Sequence, residues 1–245
     1  MSTVAVRQGQ SRSQSRTLGV IASASMAGAI AGLVAGGMGS RLAMRVLAMT
    51  TPGMEGATTE ADATVGQITT GGTFFLLLFG TALGVGGGLV YLALRRWLPA
   101  RWRGLAFGLL LLALTGPLLV DPDNPDFIIL EPAWLGVAMF AALPVLFGLI
   151  AASLQARLEP FFTRERSRSA TIAVLILGLL PLALGGPVAV AVVLIVGVGL
   201  AVAHFTDVTK VIETHAVGVA VRALLIAVTT FGLVVFARSA LEILT

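Results

Sequence analysis

The sequence contains no cysteine among its 245 residues. Disulfide frameworks, cysteine-ligated zinc, iron–sulfur clusters and thiol catalysis are therefore excluded. Lysine is almost as scarce, because Lys210 is the one lysine in the chain. It lies outside the long apolar segments, so a retinal-type Schiff base within a membrane helix is excluded as well.

Charged side chains are also scarce. Lysine and arginine total 16 and aspartate and glutamate 12, so charged residues make up 11% of the chain, whereas soluble domains average about 25%. Long segments carry no charge at all, which excludes a soluble globular protein and a disordered chain. The pI near 10.9 does not indicate nucleic acid as a partner, because arginines scattered between apolar segments cannot line a nucleic-acid groove.

The apolar segments predict an all-α integral membrane protein, a bundle of about seven transmembrane helices. A helix that crosses the hydrocarbon core needs about 20 residues. Seven segments are apolar enough: 18–39, 73–94, 104–120, 132–154, 170–185, 187–204 and 217–237. Gly185-Gly186-Pro187 separates the fifth from the sixth, since this combination is typical of a turn. The alternative is six helices, with 170–204 forming a re-entrant hairpin.

The basic residues predict the orientation, because cytoplasmic loops are enriched in lysine and arginine. With the N-terminus inside, the outer face keeps only three of the 16 basic residues, Arg41, Arg45 and Arg238. We therefore predict three outward-turning hairpins plus a last helix, N-in and C-out. Residues 1–17 are expected to form a disordered cytoplasmic tail and 18–245 a single transmembrane domain. The excess of arginine, alanine and glycine favours a bacterial cytoplasmic membrane.

Two rows of glycine at four-residue spacing lie in the first two spans. They consist of Gly28, Gly32 and Gly36 in the first and Gly80, Gly84 and Gly88 in the second. Small residues at this spacing let two helix backbones approach closely where lipid offers no hydrophobic drive for association. We predict that they pack one helix on the other. A seam between two copies, or with another membrane protein, is the alternative.

One candidate ligand site is expected at the outer surface. Arg41 and Arg45 share a helical face just beyond the first span, and Asp121, Asp126 and Glu131 follow the third span. The arginines could bind an anionic head group or solute. The acids could instead hold a divalent cation. Snorkelling of the arginines and ordinary loop acids explain the pattern without any ligand.

Catalytic and cofactor motifs are missing. The sequence has no HExxH and no GxSxG, and its two histidines are not placed for haem. No carboxylate lies at the centre of a span, which argues against a proton relay. We expect a non-enzymatic accessory or assembly subunit without metal or cofactor, in contact with the lipid bilayer and another membrane protein or itself. The alternative is a channel or facilitator for a small solute or lipid head group.

Overall fold

The computed structural model describes residues 2–51, 70–123, 131–163, 172 and 215–245. Side chains are described from Arg16 onward in these ranges, His215 excepted. All regular elements of this part of the chain are helical. They are α1 (Ser2–Ala31), a π-helix (Gly32–Gly39), α2 (Ser40–Thr50), α3 (Thr70–Leu94), α4 (Arg103–Leu119), α5 (Ala133–Phe162) and α6 (His215–Leu244).

Four of these helical stretches are long and apolar enough to cross a membrane. They are Arg16–Thr50, which joins α1, the π-helix and α2 into one first rod, and Thr70–Leu94, Ala133–Phe162 and Ala216–Leu244. α4 is apolar but shorter, with 17 residues. The described part of the chain is therefore helical, with helices suited to a membrane.

The helices correspond to five of the predicted spans, those at 18–39, 73–94, 104–120, 132–154 and 217–237. The predicted spans 170–185 and 187–204 lie outside the described residues. α1 begins at Ser2, within the segment 1–17 that we interpreted as a tail.

Close contacts between backbones define the directions of the helices. Along α3, Gly88 lies against Gly28 and Gly80 against Gly32, so the first rod and α3 are antiparallel. The rod is also antiparallel to α5, because Ser23 is hydrogen bonded to Gln155 while Gly39 lies against Leu143.

α4 and α6 complete the arrangement. Gly104 of α4 meets Ala152 of α5 and Gly108 meets Val145, which makes these two helices antiparallel. α6 runs parallel to α4, since Gly232 lies on Ala113 near the middle of the pair and Ala240 packs with Val120 farther along. α5 therefore ends, and α6 begins, at the same end of the bundle.

An aromatic cluster fills the centre of the bundle. Phe107 of α4 is fully buried and lies between Tyr91 of α3 and Phe147 of α5, with ring centroids 5.3 Å and 6.4 Å away. Such tilted arrangements place ring edges near ring faces, which adds to the stabilisation from burial. The cluster holds α3, α4 and α5 together directly beneath the polar groups described next.

Candidate functional site

A chain of hydrogen bonds joins three helices at the end of the bundle where α5 terminates. The guanidinium of Arg95, just beyond α3, forms an ion pair with Glu159 of α5, in which Nη2 donates to Oε1 over 3.3 Å. Nε2 of Gln155 donates to Glu159 Oε2 at 3.4 Å and to the Ser23 hydroxyl at 3.1 Å. Ser23 donates in turn to the Val20 carbonyl at 2.8 Å.

Gln155 is the deeply buried member of this chain, with 2% of its surface exposed. Both hydrogens of its amide have acceptors, but the carbonyl oxygen Oε1 is buried and has no hydrogen-bond partner. The amide is oriented by Glu159, because a flip would turn Oε1 toward the carboxylate and lose the Nε2 hydrogen bond. One strong acceptor is therefore left unsatisfied, which is costly and uncommon inside proteins.

A cleft of about 430 Å³ opens over this chain between α3, α4 and α5. Its lining combines aromatic, cationic and amide groups with small residues on α5: Tyr91, Arg95, Arg96, Arg103, Ala152, Gln155, Ala156 and Glu159. This volume falls within the range of about 300–1,000 Å³ that is usual for small-molecule sites. Three arginines and one glutamate give the lining an excess of positive charge.

Arg96 and Arg103 supply that excess, because Arg95 is neutralised by Glu159. Neither guanidinium forms a salt bridge with a carboxylate in the part of the chain that the structure describes. Arg96 lies 4.0 Å above the Trp97 ring, a cation–π contact that fixes its position without cancelling its charge. Both arginines therefore keep their positive charge at the edge of the cleft.

No pattern in the sequence predicted this cleft, because its parts lie in separate segments of the chain. Arg95, Arg96 and Arg103 belong to the 13 basic residues that the predicted orientation places on the cytoplasmic side. Gln155 lies 132 residues from Ser23 in the chain, so no local pattern could bring the two together. The recoverable signal was an amide and a carboxylate at i, i+4 spacing at the end of an apolar helix.

The predicted outer site lies at the opposite end of the bundle. Arg41 and Arg45 are on α2, with Arg41 partly buried and Arg45 exposed. Nε of Arg41 is buried and has no hydrogen-bond partner. Neither arginine forms a salt bridge with a carboxylate of a described residue.

Two acids of that site, Asp121 and Glu131, lie within the described residues. Asp121 is exposed and accepts a hydrogen bond from the backbone N–H of Asp123 at 3.1 Å, which closes a turn after α4. Glu131 exchanges two backbone hydrogen bonds with the Thr51 hydroxyl, at 2.9 and 3.0 Å. Asp126 lies outside the described residues. Within the described ranges, no three side chains of histidine, aspartate or glutamate are grouped as metal ligands.

The glycine rows meet inside the chain. A Cβ atom at Gly32 would lie 2.1 Å from the Gly80 carbonyl oxygen, and one at Gly28 would lie 2.2 Å from that of Gly84. On the other side, a Cβ at Gly88 would lie 2.3 Å from the Ala24 carbonyl oxygen. These separations leave no room for any side chain, so the backbones of the first rod and α3 are in direct contact.

A different row of small residues remains exposed on α6. It follows helical spacing along one face and consists of Ala216, Ala220, Ala223, Ala227, Thr230 and Ala237, all of them exposed, and exposed Val234 interrupts it between the last two. The opposite face, with Gly232 and Phe236, packs on α4. Only 6% of the most apolar stretch of α6 is buried in the bundle, against 56% for the first rod.

Comparison with known proteins gives no relative: no family model, no curated protein and no solved structure matches this chain.

Proposed function

We propose that this chain is a non-enzymatic accessory or assembly subunit of a bacterial cytoplasmic membrane, with seven spans, N-in and C-out. The observation that carries the proposal is the exposed face of α6. Its small side chains recur at the spacing at which transmembrane helices pack, and no described residue of the chain covers them. A helix from another membrane protein, or from a second copy, would fit against this face.

The glycine rows support the same reading indirectly. In the proposal, their close contact is the small-xxx-small packing that holds the first rod to α3 within one chain. A face used for internal packing is not free for a partner. Association with another protein is therefore assigned to α6 and not to Gly28, Gly32 and Gly36.

The distribution of charge supports the proposed orientation. The end of the bundle with Arg95, Arg96, Arg101, Arg103 and Arg157 is rich in arginine, and such ends face the cytoplasm in most inner-membrane proteins. Seven spans also require α5 to end and α6 to begin on one side of the membrane, which agrees with their antiparallel directions.

Co-purification with bulky variants of α6 tests the assembly role. The full chain is extracted in a gentle detergent, and mass spectrometry identifies and quantifies whatever remains bound. We expect a second protein, or a second copy, in fixed stoichiometry. Ala223→Leu/Ala227→Leu should remove it, because leucine side chains hold a partner helix away from the face. Ala142→Leu, at an exposed alanine of α5, is the matched control and should retain it.

Two results would refute the assembly role: a chain that is purified alone, or a bound protein that the α6 variant retains as well as the control does. Each variant is first checked for membrane insertion and for an unchanged thermal midpoint. A lost partner then reports on the α6 face and not on folding.

A facilitator of a small anionic solute or lipid head group is the second candidate. The specific observation in its favour is that Arg41 has a buried Nε without a hydrogen-bond partner and lies one helical turn from exposed Arg45. The same purification separates the two candidates. A bound anion or lipid that Arg41→Gln/Arg45→Gln loses would support the facilitator, and its retention by this variant would argue against it.

A further inference from the structure

The cleft above the aromatic cluster has three properties that together indicate a ligand. It has a volume of about 430 Å³, it contains two guanidinium groups without a described counter-ion, and it is lined by a buried glutamine with a vacant acceptor. Each property alone is common at protein surfaces. Their combination at one place specifies an anion that also carries a hydrogen-bond donor.

The arginines select the anionic part of the ligand. Guanidinium groups bind phosphate with paired, charge-assisted hydrogen bonds, and they stay protonated at every physiological pH. Arg96 lies beyond the last turn of α3, and Arg103 begins α4. They therefore approach the cleft from two elements and can hold one phosphate between them.

Gln155 selects a second chemical group of the ligand. Its unpartnered atom is a carbonyl oxygen, which accepts a hydrogen bond and cannot donate one. This oxygen is itself covered, so a ligand in the cleft reaches it only when the side chains over it shift. A phosphate oxygen would be repelled there, whereas a hydroxyl group would be bound. The ligand must therefore present an O–H group close to its phosphate.

The surroundings of the cleft favour a lipid as the source. Trp97 and Trp102 lie on the turn between α3 and α4, and Trp102 is 57% exposed. Tryptophan is enriched at the level of the lipid head groups, where its ring is in apolar contact and its N–H meets water. Basic pockets between transmembrane helices at this level recognise anionic head groups.

We propose that the cleft binds an anionic phosphoglycerol head group, with its phosphate between Arg96 and Arg103 and a glycerol hydroxyl donating to Gln155. The proposal concerns the end of the bundle opposite Arg41. It does not depend on the assembly role of α6. Phosphatidylglycerol has both required groups, phosphatidic acid has the phosphate without the hydroxyl, and phosphatidylcholine has neither a net charge nor a donor.

Native mass spectrometry of the full, delipidated chain tests this site by titration with each of the three lipids. We expect phosphatidylglycerol to bind more tightly than phosphatidylcholine. Arg96→Gln/Arg103→Gln should weaken it by about tenfold or more, because two charge-assisted contacts are lost. Arg238→Gln removes an exposed arginine at the other end and should change the affinity by less than about twofold.

The glutamine has its own test. Gln155→Met keeps the length and apolar volume of the side chain but removes the acceptor. We expect it to weaken the binding of phosphatidylglycerol and to leave the binding of phosphatidic acid, which lacks the glycerol hydroxyl, unchanged. If Gln155→Met does not fold, the Arg96→Gln/Arg103→Gln variant alone tests the proposal. Both arginines are exposed, so we expect this variant to fold.

Competition with soluble glycerol 3-phosphate identifies the source of the head group. Weak competition supports a lipid, and competition at equal affinity supports the same chemistry in a water-soluble ligand. The proposal is overturned if Arg96→Gln/Arg103→Gln binds phosphatidylglycerol as the unaltered chain does. Equal binding of phosphatidylcholine would also overturn it, because the bound lipid would then be unselected.

Discussion

At the scale of single residues, Glu159 joins two of the polar side chains at the arginine-rich end of the bundle. It accepts hydrogen bonds from Arg95 and from Gln155, and through Gln155 it is connected to Ser23 of α1. A carboxylate near the hydrocarbon boundary is costly unless it is paired. Here the pairing also determines which atom of Gln155 is left without a hydrogen-bond partner.

Replacement of this carboxylate predicts a measurable loss of stability. Glu159→Gln leaves Arg95 without its counter-ion, and both side chains are about 30% exposed. Because water screens part of the interaction, we expect a loss of about 1 kcal/mol and a thermal midpoint lower by roughly 2–4 °C. Circular dichroism of the chain in detergent measures this shift.

The control for this variant is Glu242→Gln, which removes an exposed carboxylate of α6 that has no salt bridge to a described residue. It should leave the midpoint unchanged. The double variant Arg95→Gln/Glu159→Gln should cost less than the sum of the two single changes, since the two groups interact. Strict additivity would show that the ion pair contributes nothing to stability.

At the scale of elements, the contact between the first rod and α3 departs from the regular row in the sequence. Gly32 and Gly36 are equivalent in an α-helical pattern, but residues Gly32–Gly39 form a π-helix. A π-helix has i→i+5 hydrogen bonds and more residues in each turn. Gly36 is consequently rotated away from α3, and Gly37 takes its place, so that a Cβ at Gly80 would lie 2.7 Å from the Gly37 nitrogen.

Alanine substitutions can show that Gly32 and Gly36 differ in their contact with α3. Gly32→Ala would place a methyl group 2.1 Å from the Gly80 carbonyl oxygen, and Gly36→Ala would place one at an ordinary 3.4 Å from the Gly80 Cα atom. We expect Gly32→Ala to destabilise the chain by about 1–3 kcal/mol, because a rigid backbone must move. Gly36→Ala should be neutral or slightly stabilising. Thermal midpoints in detergent provide the comparison.

Gly71→Ala serves as the reference, because nothing lies within 4 Å of a Cβ at that position. It gives the effect of alanine on a membrane helix without any packing change. Equal losses for Gly32→Ala and Gly36→Ala would mean that the contact follows regular α-helical spacing in the membrane.

This comparison also illustrates how far the sequence predicts the fold. Apolar length and charge located α3, α4 and the beginnings of α5 and α6 to within three residues, because insertion into lipid depends on these local properties. The predicted ends of α5 and α6 fall eight and seven residues short, since both helices continue past charged residues. Length and charge do not reveal a π-helix, whose hydrogen bonds differ from those of an α-helix only by one position. They also could not predict the Ser23–Gln155 contact, which depends on how distant helices are rotated.

At the scale of the whole molecule, the two ends of the bundle differ in charge and in construction. One end has an excess of arginine around the cleft. The other combines Arg41, Arg45 and Arg238 with Asp121 and Glu131. A membrane protein with this asymmetry has a preferred orientation, since arginine-rich ends are retained in the cytoplasm.

Single-cysteine labelling tests the orientation, and the absence of natural cysteine removes any background. We expect Thr245→Cys to react with a membrane-impermeant maleimide in intact spheroplasts. Ser13→Cys should react only after the membrane is permeabilised. Labelling of both positions from the same side would refute an odd number of spans, and the reverse pattern would refute the N-in orientation.

The hydrogen bonds at the two ends of the first rod also have a consequence for bilayer thickness. Ser23 contacts Gln155 of α5 at one end, and Thr51 contacts Glu131 beside α5 at the other. These positions are separated by about 40 Å of helix, close to the full thickness of a bilayer with its head groups. α5 therefore cannot slide along the rod without breaking polar contacts at both surfaces. In a thinner membrane, the first rod and α5 would have to tilt together.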